Sequence, residues 1–183
     1  MAPVTATLLA LCASELGAFG WGMAWFFQKP SGHRGHTAMV GGLGLVFAAW
    51  HLWAIWSSTP VLWRGVAAAG LYAAALGLFG WAVRSCGRRR LTAIFEPDAP
   101  RYLVVEGPYR FVRHPFYGAY ILFWTAGALA SGSSIAMASV LVMSAIYIRA
   151  ARDEERKFRV SAIAEAHAAY CRRTGFLIPQ CRD

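Results

Sequence analysis

The sequence predicts an all-α integral membrane protein of about five transmembrane helices, the last two a short hairpin, followed by a cytosolic C-terminal amphipathic helix. Three observations carry that class. The 183-residue chain is 57% hydrophobic and only 15% charged, where a soluble domain carries about a quarter charged residues. Its mean hydropathy is +0.42. The charge it does carry avoids a series of long apolar runs and collects between and after them.

Residues 3–27 are apolar apart from Glu15 and long enough to cross a hydrocarbon core at 1.5 Å per residue. The run lacks the basic start of a signal peptide and exceeds its apolar stretch. Residues 28–36 form a polar loop with Lys29, His33, Arg34 and His36. A second span follows at 37–56, an uncharged turn at 57–60, and a third span at 61–83. Arg64 sits near the start of that third span, where its side chain can snorkel to the interface. The glycines of these spans (Gly41, Gly42, Gly44, Gly65, Gly70, Gly77) suit close helix packing, and the eight tryptophans suit interfacial belts.

Residues 84–101 change character: five arginines and two prolines make a polar loop. Two shorter apolar runs, 117–130 and 135–148, then flank the Ser-Gly turn at 131–134. Each gives about 20 Å of helix against a core of roughly 30 Å, so the pair is expected as a short hairpin that either spans or dips and returns. From Arg149 the chain turns polar. Residues 149–173 are predicted as one amphipathic helix, with Phe158, Ala162, Ala166 and Ala169 near one face, and 176–179 add a last apolar contact.

The net charge of +9 is explained by topology and anionic lipid rather than by nucleic acid, because the basic residues lie in the connections and no nucleic-acid motif is present. The loops at 28–36 and 84–116 and the tail after 149 are basic, whereas the turns at 57–60 and 131–134 carry no charge. This places the N-terminus outside, the C-terminus in the cytoplasm, and segments 101–117 and 149–179 together on the cytosolic face. Cys12, Cys86, Cys171 and Cys181 show no paired spacing and are expected as free thiols.

The stretch VEGPYRFVRHPFYGAY at 105–120 holds groups that an apolar run should not contain. Tyr109, Arg110, Arg113, His114 and Tyr117 fall within nine positions, with Pro108 and Pro115 fixing the backbone. The Arg113-His114-Pro115 step reads as the mouth of a helix, where gathered cations are unfavourable unless an anionic group sits beside them. Glu154 and Glu155 follow the last apolar run at a similar depth if the last two helices are antiparallel. They are either half of a solvated charge run with Arg152 and Arg156, or carboxylates for a ligand's amine or hydroxyls. In the second case Arg113, His114 and Arg149 would hold the ligand's carboxylate.

This order of elements, continued by Asp153-Glu154-Glu155, Tyr170 and TGFLIP at 174–179, resembles the isoprenylcysteine carboxyl methyltransferase family, whose wider relatives include membrane phospholipid methyltransferases. The likeness covers roughly 91–180. It implies a cofactor-binding methyltransferase core at 84–183, with 1–83 shaping the acceptor side. It also implies S-adenosylmethionine bound from the cytosol and a lipophilic substrate entering from the bilayer. The implied cofactor pocket takes in Leu103, Val104, Gly107, Tyr109, His114 and Tyr117 with Glu154 or Glu155. The implied catalytic groups are Arg113 and Arg149, which would orient a carboxylate, and Glu154. Three departures stand out: no Phe-Gly follows the acidic pair, His167 stands where a tyrosine is usual, and the spacing from the pair to the tyrosine is one residue longer. Which glutamate meets the cofactor stays open.

Methyl transfer from a sulfonium is an in-line displacement helped by proximity and desolvation. A carboxylate acceptor is ionised at neutral pH and needs no base; an amine or phenol needs one, for which Glu154 and His114 qualify. Carboxyl O-methylation of an isoprenylcysteine-like acid is the first expectation. N-, S- or phenolic O-methylation of a phospholipid or other lipophilic molecule is the second, and a non-catalytic membrane scaffold is a reading of another class. Glu15 would line a substrate tunnel or be hydrogen-bonded to a neighbouring helix. His51 would be interfacial or bonded between helices. His167 and Cys171 have metal-ligand spacing without further partners, so no metal is expected.

Overall fold

The computed structural model describes residues 3–26, 34–59, 61–87 and 102–180. The loop residues Lys29, His33, Arg88, Arg89, Arg90, Pro97, Pro100 and Arg101, and Cys181, lie outside them. Six α-helices are described: α1 (Pro3–Phe26), α2 (Arg34–Ser57), α3 (Leu62–Cys86), α4 (Pro115–Ser131), α5 (Ser134–Arg159) and α6 (Ala164–Cys171), with a 3-10 turn at Gly107–Arg110 before α4. No strand occurs among the described residues, apart from one isolated parallel bridge between Val112 and Gly175.

Helices α1, α2, α3 and α5 are each long and apolar enough to cross a membrane. Their outer surfaces carry large exposed apolar side chains, among them Trp25, Leu45, Trp53, Leu62 and Leu141, as expected where lipid replaces water as the solvent. Helix α4 has 17 residues, about 25 Å at the α-helical rise, and it is the most enclosed element. It packs against α3 most extensively, then against α5, with α2 and α1 on its remaining sides. Its aromatic residues fill the seams: Phe123 lies 5.8 Å from Tyr72 of α3 and 5.4 Å from Phe19 of α1, and Phe116 lies 5.4 Å from Phe79. Pairing of rising positions in α4 with falling positions in α3 makes the two antiparallel.

Two expectations of the sequence are corrected. The second arm of the hairpin is not short. Helix α5 runs unbroken from Ser134 through the charged residues to Arg159, because the residues after Ile148 are mostly strong helix formers. The amphipathic helix expected over 149–173 is therefore two pieces: the end of α5, and the eight-residue α6 after a break at 160–163. At that break Ser161 turns its hydroxyl onto the Phe158 carbonyl at 2.8 Å, a local bond that competes with helix propagation. The hairpin turn itself is as expected. Gly132 takes the left-handed conformation (φ +63°) as the C-cap of α4, and Ser133 caps α5 by accepting from the Ala136 N–H.

His51 is bonded between helices, its Nε2 2.7 Å from Ser139 Oγ of α5. Its ring lies so close to Gly127 that a β-carbon there would sit 2.0 Å from Nδ1, so glycine is what admits it. Glu15 is 1% exposed, and neither carboxylate oxygen has a hydrogen-bond partner among the described residues. Cys12, Cys86 and Cys171 are unpaired.

Candidate active site

The site forms where three segments distant in sequence meet at one end of the bundle: the corner before α4, the polar end of α5, and the tail after α6. The corner is shaped by its backbone. Gly107 has φ +57°, and a β-carbon there would lie 1.9 Å from Ser85 Oγ and 3.0 Å from Trp81 Nε1, so only glycine lets the chain turn against the end of α3. Pro108 then starts the 3-10 turn, and Pro115 opens α4 with His114 as its N-cap. The tail runs alongside. Gly175 donates its N–H to the Phe111 carbonyl (3.0 Å) while its own carbonyl accepts from Arg113 N–H (2.8 Å), and Phe176 O accepts from His114 N–H (3.3 Å). The Tyr170 hydroxyl donates to the Tyr109 carbonyl at 2.7 Å and fixes α6 to the same corner.

Arg113 projects into this junction. Its Nε donates to Glu155 Oε1 at 2.6 Å, with the two side chains 13% and 12% exposed. Its Nη1 donates to the carbonyls of Cys171 (3.3 Å) and Thr174, and the guanidinium lies 5.6 Å from the centre of the Phe176 ring. Arg113 is thus a clamp between corner, α5 and tail. His114 stands between the two glutamates, with Nε2 3.3 Å from Glu155 Oε1 and Nδ1 3.5 Å from Glu154 Oε2. Burial favours its neutral form, but the paired carboxylates outweigh burial and hold its pKa above the ordinary value.

The two glutamates are neighbours in sequence but 100° apart on the helix, and they meet different surroundings. Glu155 is held by Arg113 and His114. Glu154, 28% exposed, accepts a 2.6 Å hydrogen bond from the Tyr117 hydroxyl on Oε1 and turns Oε2 toward His114, remaining the more exposed of the two acids. Behind Tyr117 is an aromatic wall. Tyr147 stacks on it at 5.8 Å and 17°, Tyr120 lies 5.4 Å from Tyr147, and Trp124 donates to the Tyr147 hydroxyl at 3.1 Å. The Tyr120 hydroxyl is buried with no hydrogen-bond partner among the described residues.

The structure therefore brings together Arg113, His114, Tyr117, Glu154 and Glu155. Leu103 and Val104 are half-buried on the approach to the corner. Tyr109 is buried with its hydroxyl 3.5 Å from the Cys86 sulfur, so it packs the corner against α3. Arg149 is exposed on α5, and no described contact joins it to the cluster. Tyr120, Tyr147 and Trp124 escaped the sequence reading because they lie inside apolar runs. The 117, 120, 124 spacing, which puts three ring-bearing residues on one helical face, was the available signal.

An open hollow of about 370 Å³ adjoins the cluster on the other side of Glu155, lined by Arg152, Glu155, Arg156, Arg159 and Phe176. Glu155, His167 and Cys171 also place one possible metal-ligand atom each within 4.8 Å of one another. Arg113 already occupies Glu155 there, His167 stacks on Phe158 at 4.4 Å, and burial pushes the Cys171 thiol up. A guanidinium beside a protonated thiol opposes a cation.

The family model for phospholipid methyltransferase matches residues 63–162, a stretch running from α3 through the corner and α4 to the end of α5. No curated protein and no solved structure matches the chain. The match covers more than half of the sequence, and the chain belongs to the phospholipid methyltransferase family. It is a membrane methyltransferase for a lipophilic acceptor; the narrower isoprenylcysteine carboxyl methyltransferase subtype is not what the match specifies.

Proposed function

We propose that this member of the phospholipid methyltransferase family moves a methyl group from S-adenosylmethionine to a lipophilic acceptor bearing a nucleophile that must lose a proton, a lipid amine being the foremost case. The observation that carries the reading is Glu154: a carboxylate bonded to Tyr117, facing His114, and partly open beside an aromatic wall.

The residues present fit the cofactor. Glu154 offers an acceptor for an amine or ribose hydroxyls, and His114 and the first turn of α4 offer positive charge for a carboxylate. The faces of Tyr117 and Tyr147 favour a cation near their rings, and the Tyr120 hydroxyl is a buried donor in want of a partner. When bound, the cofactor supplies an electrophilic methyl group on a sulfonium. The chain's own contribution is positioning and proton handling. Tyr117 holds the Glu154 carboxylate in one orientation, and the packed rings of Tyr117, Tyr120 and Tyr147 exclude water from one flank. Glu154 accepts the proton that the nucleophile loses, which frees the nitrogen lone pair to form the new C–N bond as the C–S bond to the methyl group breaks. Arg113 acts on this through Glu155, by holding the tail and His114 in register.

Carboxyl O-methylation of an isoprenylcysteine-like acid is the second reading, favoured by the Arg-His-Pro corner, the acidic pair and the tail taken together. Against it stands the engagement of Arg113 with Glu155 and two carbonyls, which removes the cation that would orient an acceptor carboxylate. Both readings place the site at the inner leaflet, in keeping with the basic connections.

Transfer of radiolabelled methyl to extracted membrane lipid by the purified chain, followed by mild base hydrolysis, tests the choice. Label released as volatile methanol means a methyl ester and overturns the amine reading, whereas non-volatile label that stays with the headgroup after deacylation supports it. No transfer to any lipid fraction, with no cofactor binding by calorimetry, overturns the enzyme reading as a whole.

A further inference from the structure

The polar end of α5 carries a feature that methyl transfer does not use. Arg149, Arg152, Arg156 and Arg159 are all exposed, and their 3-4-3 spacing confines them to an arc of about 80° at 100° per residue. Tyr147, Ala150 and Ala151, buried against the bundle, lie on the opposite side of the helix, so the stripe faces outward. Three of its arginines line the 370 Å³ hollow, with Phe176 as an apolar wall.

We propose that this hollow is a docking site for the phosphate of an anionic phospholipid, held by Arg152, Arg156 and Arg159. Charge complementarity is the first argument. Glu155, the acid in the hollow's lining, is already matched by Arg113 and His114. Arg156 is shared with Asp153, while Arg152 and Arg159 have no ion-pair partner among the described residues. The hollow is therefore net positive, and guanidinium forks match phosphate oxygens two at a time. Height is the second argument. Counted from Ser134, Arg149 lies about 22 Å and Arg159 about 38 Å along the helix. The hydrocarbon core ends near 30 Å and the headgroup layer extends several ångströms further, so the stripe runs across the layer where lipid phosphates sit. The Phe176 ring then meets the glycerol and upper chain rather than water. The site lies beside the methyl-transfer cluster but does not depend on that assignment.

The test uses the purified full chain in a neutral detergent, titrated with short-chain phosphatidylglycerol and, separately, phosphatidylcholine, without cofactor or acceptor, and read by calorimetry or native mass spectrometry. Phosphatidylglycerol is expected to bind saturably and the zwitterionic lipid far more weakly. Arg152→Gln and Arg159→Gln are each expected to weaken it by about fivefold, the effect of one surface cation on an anionic lipid. The double Arg→Lys variant, keeping the charge but losing the fork, is expected to bind between wild type and the double glutamine variant, and it serves as the readout if the glutamine variant fails to fold. Equal binding by wild type and the double glutamine variant overturns the proposal. So does displacement by equimolar inorganic phosphate, which would mean a free-anion site, or by S-adenosylmethionine, which would make the hollow part of the cofactor pocket. Loss of methyl transfer with lipid binding intact would touch only the functional reading above.

Discussion

Replacing Arg113 by alanine should release the tail as well as perturb the chemistry. The guanidinium makes a charge-assisted bond to Glu155, bonds to the Cys171 and Thr174 carbonyls, and a contact over the Phe176 ring. Removing one partner of a buried ion pair costs about 3–5 kcal/mol, because the other charge stays buried without its match. Glu155 would still have His114 at 3.3 Å, which lowers the penalty. The Cys171 and Thr174 carbonyls lose a donor as well, and Thr174 is buried, which offsets part of that relief. An overall loss of about 3 kcal/mol is expected, roughly a 6–12 °C fall in melting temperature for a chain of this size.

The measurement is thermal unfolding of the purified protein in detergent, followed by tryptophan fluorescence, alongside limited trypsin digestion at low temperature. Cleavage after Arg172 or Arg173 should appear earlier in the variant than in wild type, since Arg113 ties the following residues to the corner. Arg113→Lys should recover part of the stability but not the protection from trypsin. A compact ammonium can neutralise Glu155 without reaching three separate acceptors. If Arg113→Ala melts with wild type and its tail resists trypsin equally, the clamp is not what holds these segments together.

Glu154→Gln should behave oppositely. The amide oxygen can still accept from Tyr117, so melting should stay within about 0.5 kcal/mol of wild type, while methyl transfer falls by about a hundredfold or more; a comparable loss of stability would count against its assignment to the ligand side. His114 gives a pH signature. Its folded pKa is raised above about 6.5, so the stabilisation from its charged form is complete below that value and lost as pH climbs through the folded one. From about pH 7 upward wild type should lose melting temperature relative to His114→Gln; His167, held low by burial, is present in both proteins and cancels from the comparison, and parallel curves would refute the assignment. Gly107→Ala forces a β-carbon into Ser85 at φ +57° and should cost more than the 1–2 kcal/mol of left-handed strain alone. Adding Ser85→Gly should restore only the steric part, as read by the same melting assay.

How much of this was legible in the chain depends on which interactions are local. The first three spans could be read because an uninterrupted apolar run of about twenty residues has one stable solution in a bilayer. The Arg-His-Pro corner could be read because proline dictates where a helix can start. The end of α5 could not. The change from apolar to charged residues at Arg149 marks a change of surroundings, and surroundings were mistaken for an element boundary, although arginine, alanine and glutamate propagate a helix as well as leucine does. The division of labour between Glu154 and Glu155 was also hidden. Identical residues at adjacent positions differ only in which neighbours a 100° turn presents, and those neighbours come from the corner, 37 to 42 residues away, and from the tail. Arg113 illustrates the same limit. Its type fits a carboxylate holder, and only the position of Glu155, 2.6 Å away, reveals that the carboxylate it holds is the protein's own.

The boundaries of the family match give this arrangement a consequence. Residues 63–162 contain the corner, both glutamates and the tyrosine wall, so the groups proposed for methyl transfer all fall within what the family shares. The tail that closes over Arg113 lies outside the match, and so do α1 and α2. Yet α4 is lined by them: Phe19 of α1 packs on Tyr120 at 4.8 Å, and Phe47 and His51 of α2 pack on Trp124 at 6.3 and 5.2 Å. The wall behind the reacting centre is therefore built from shared helices but braced by unshared ones. Helices α1 and α2 thus brace the aromatic wall, whereas the cation–carboxylate cluster is built from the corner, α5 and the tail alone. The first two helices can therefore diverge without disturbing the cation–carboxylate cluster, whose corner and acidic pair are readable as motifs, whereas the residues that brace the wall lie in apolar runs and are not.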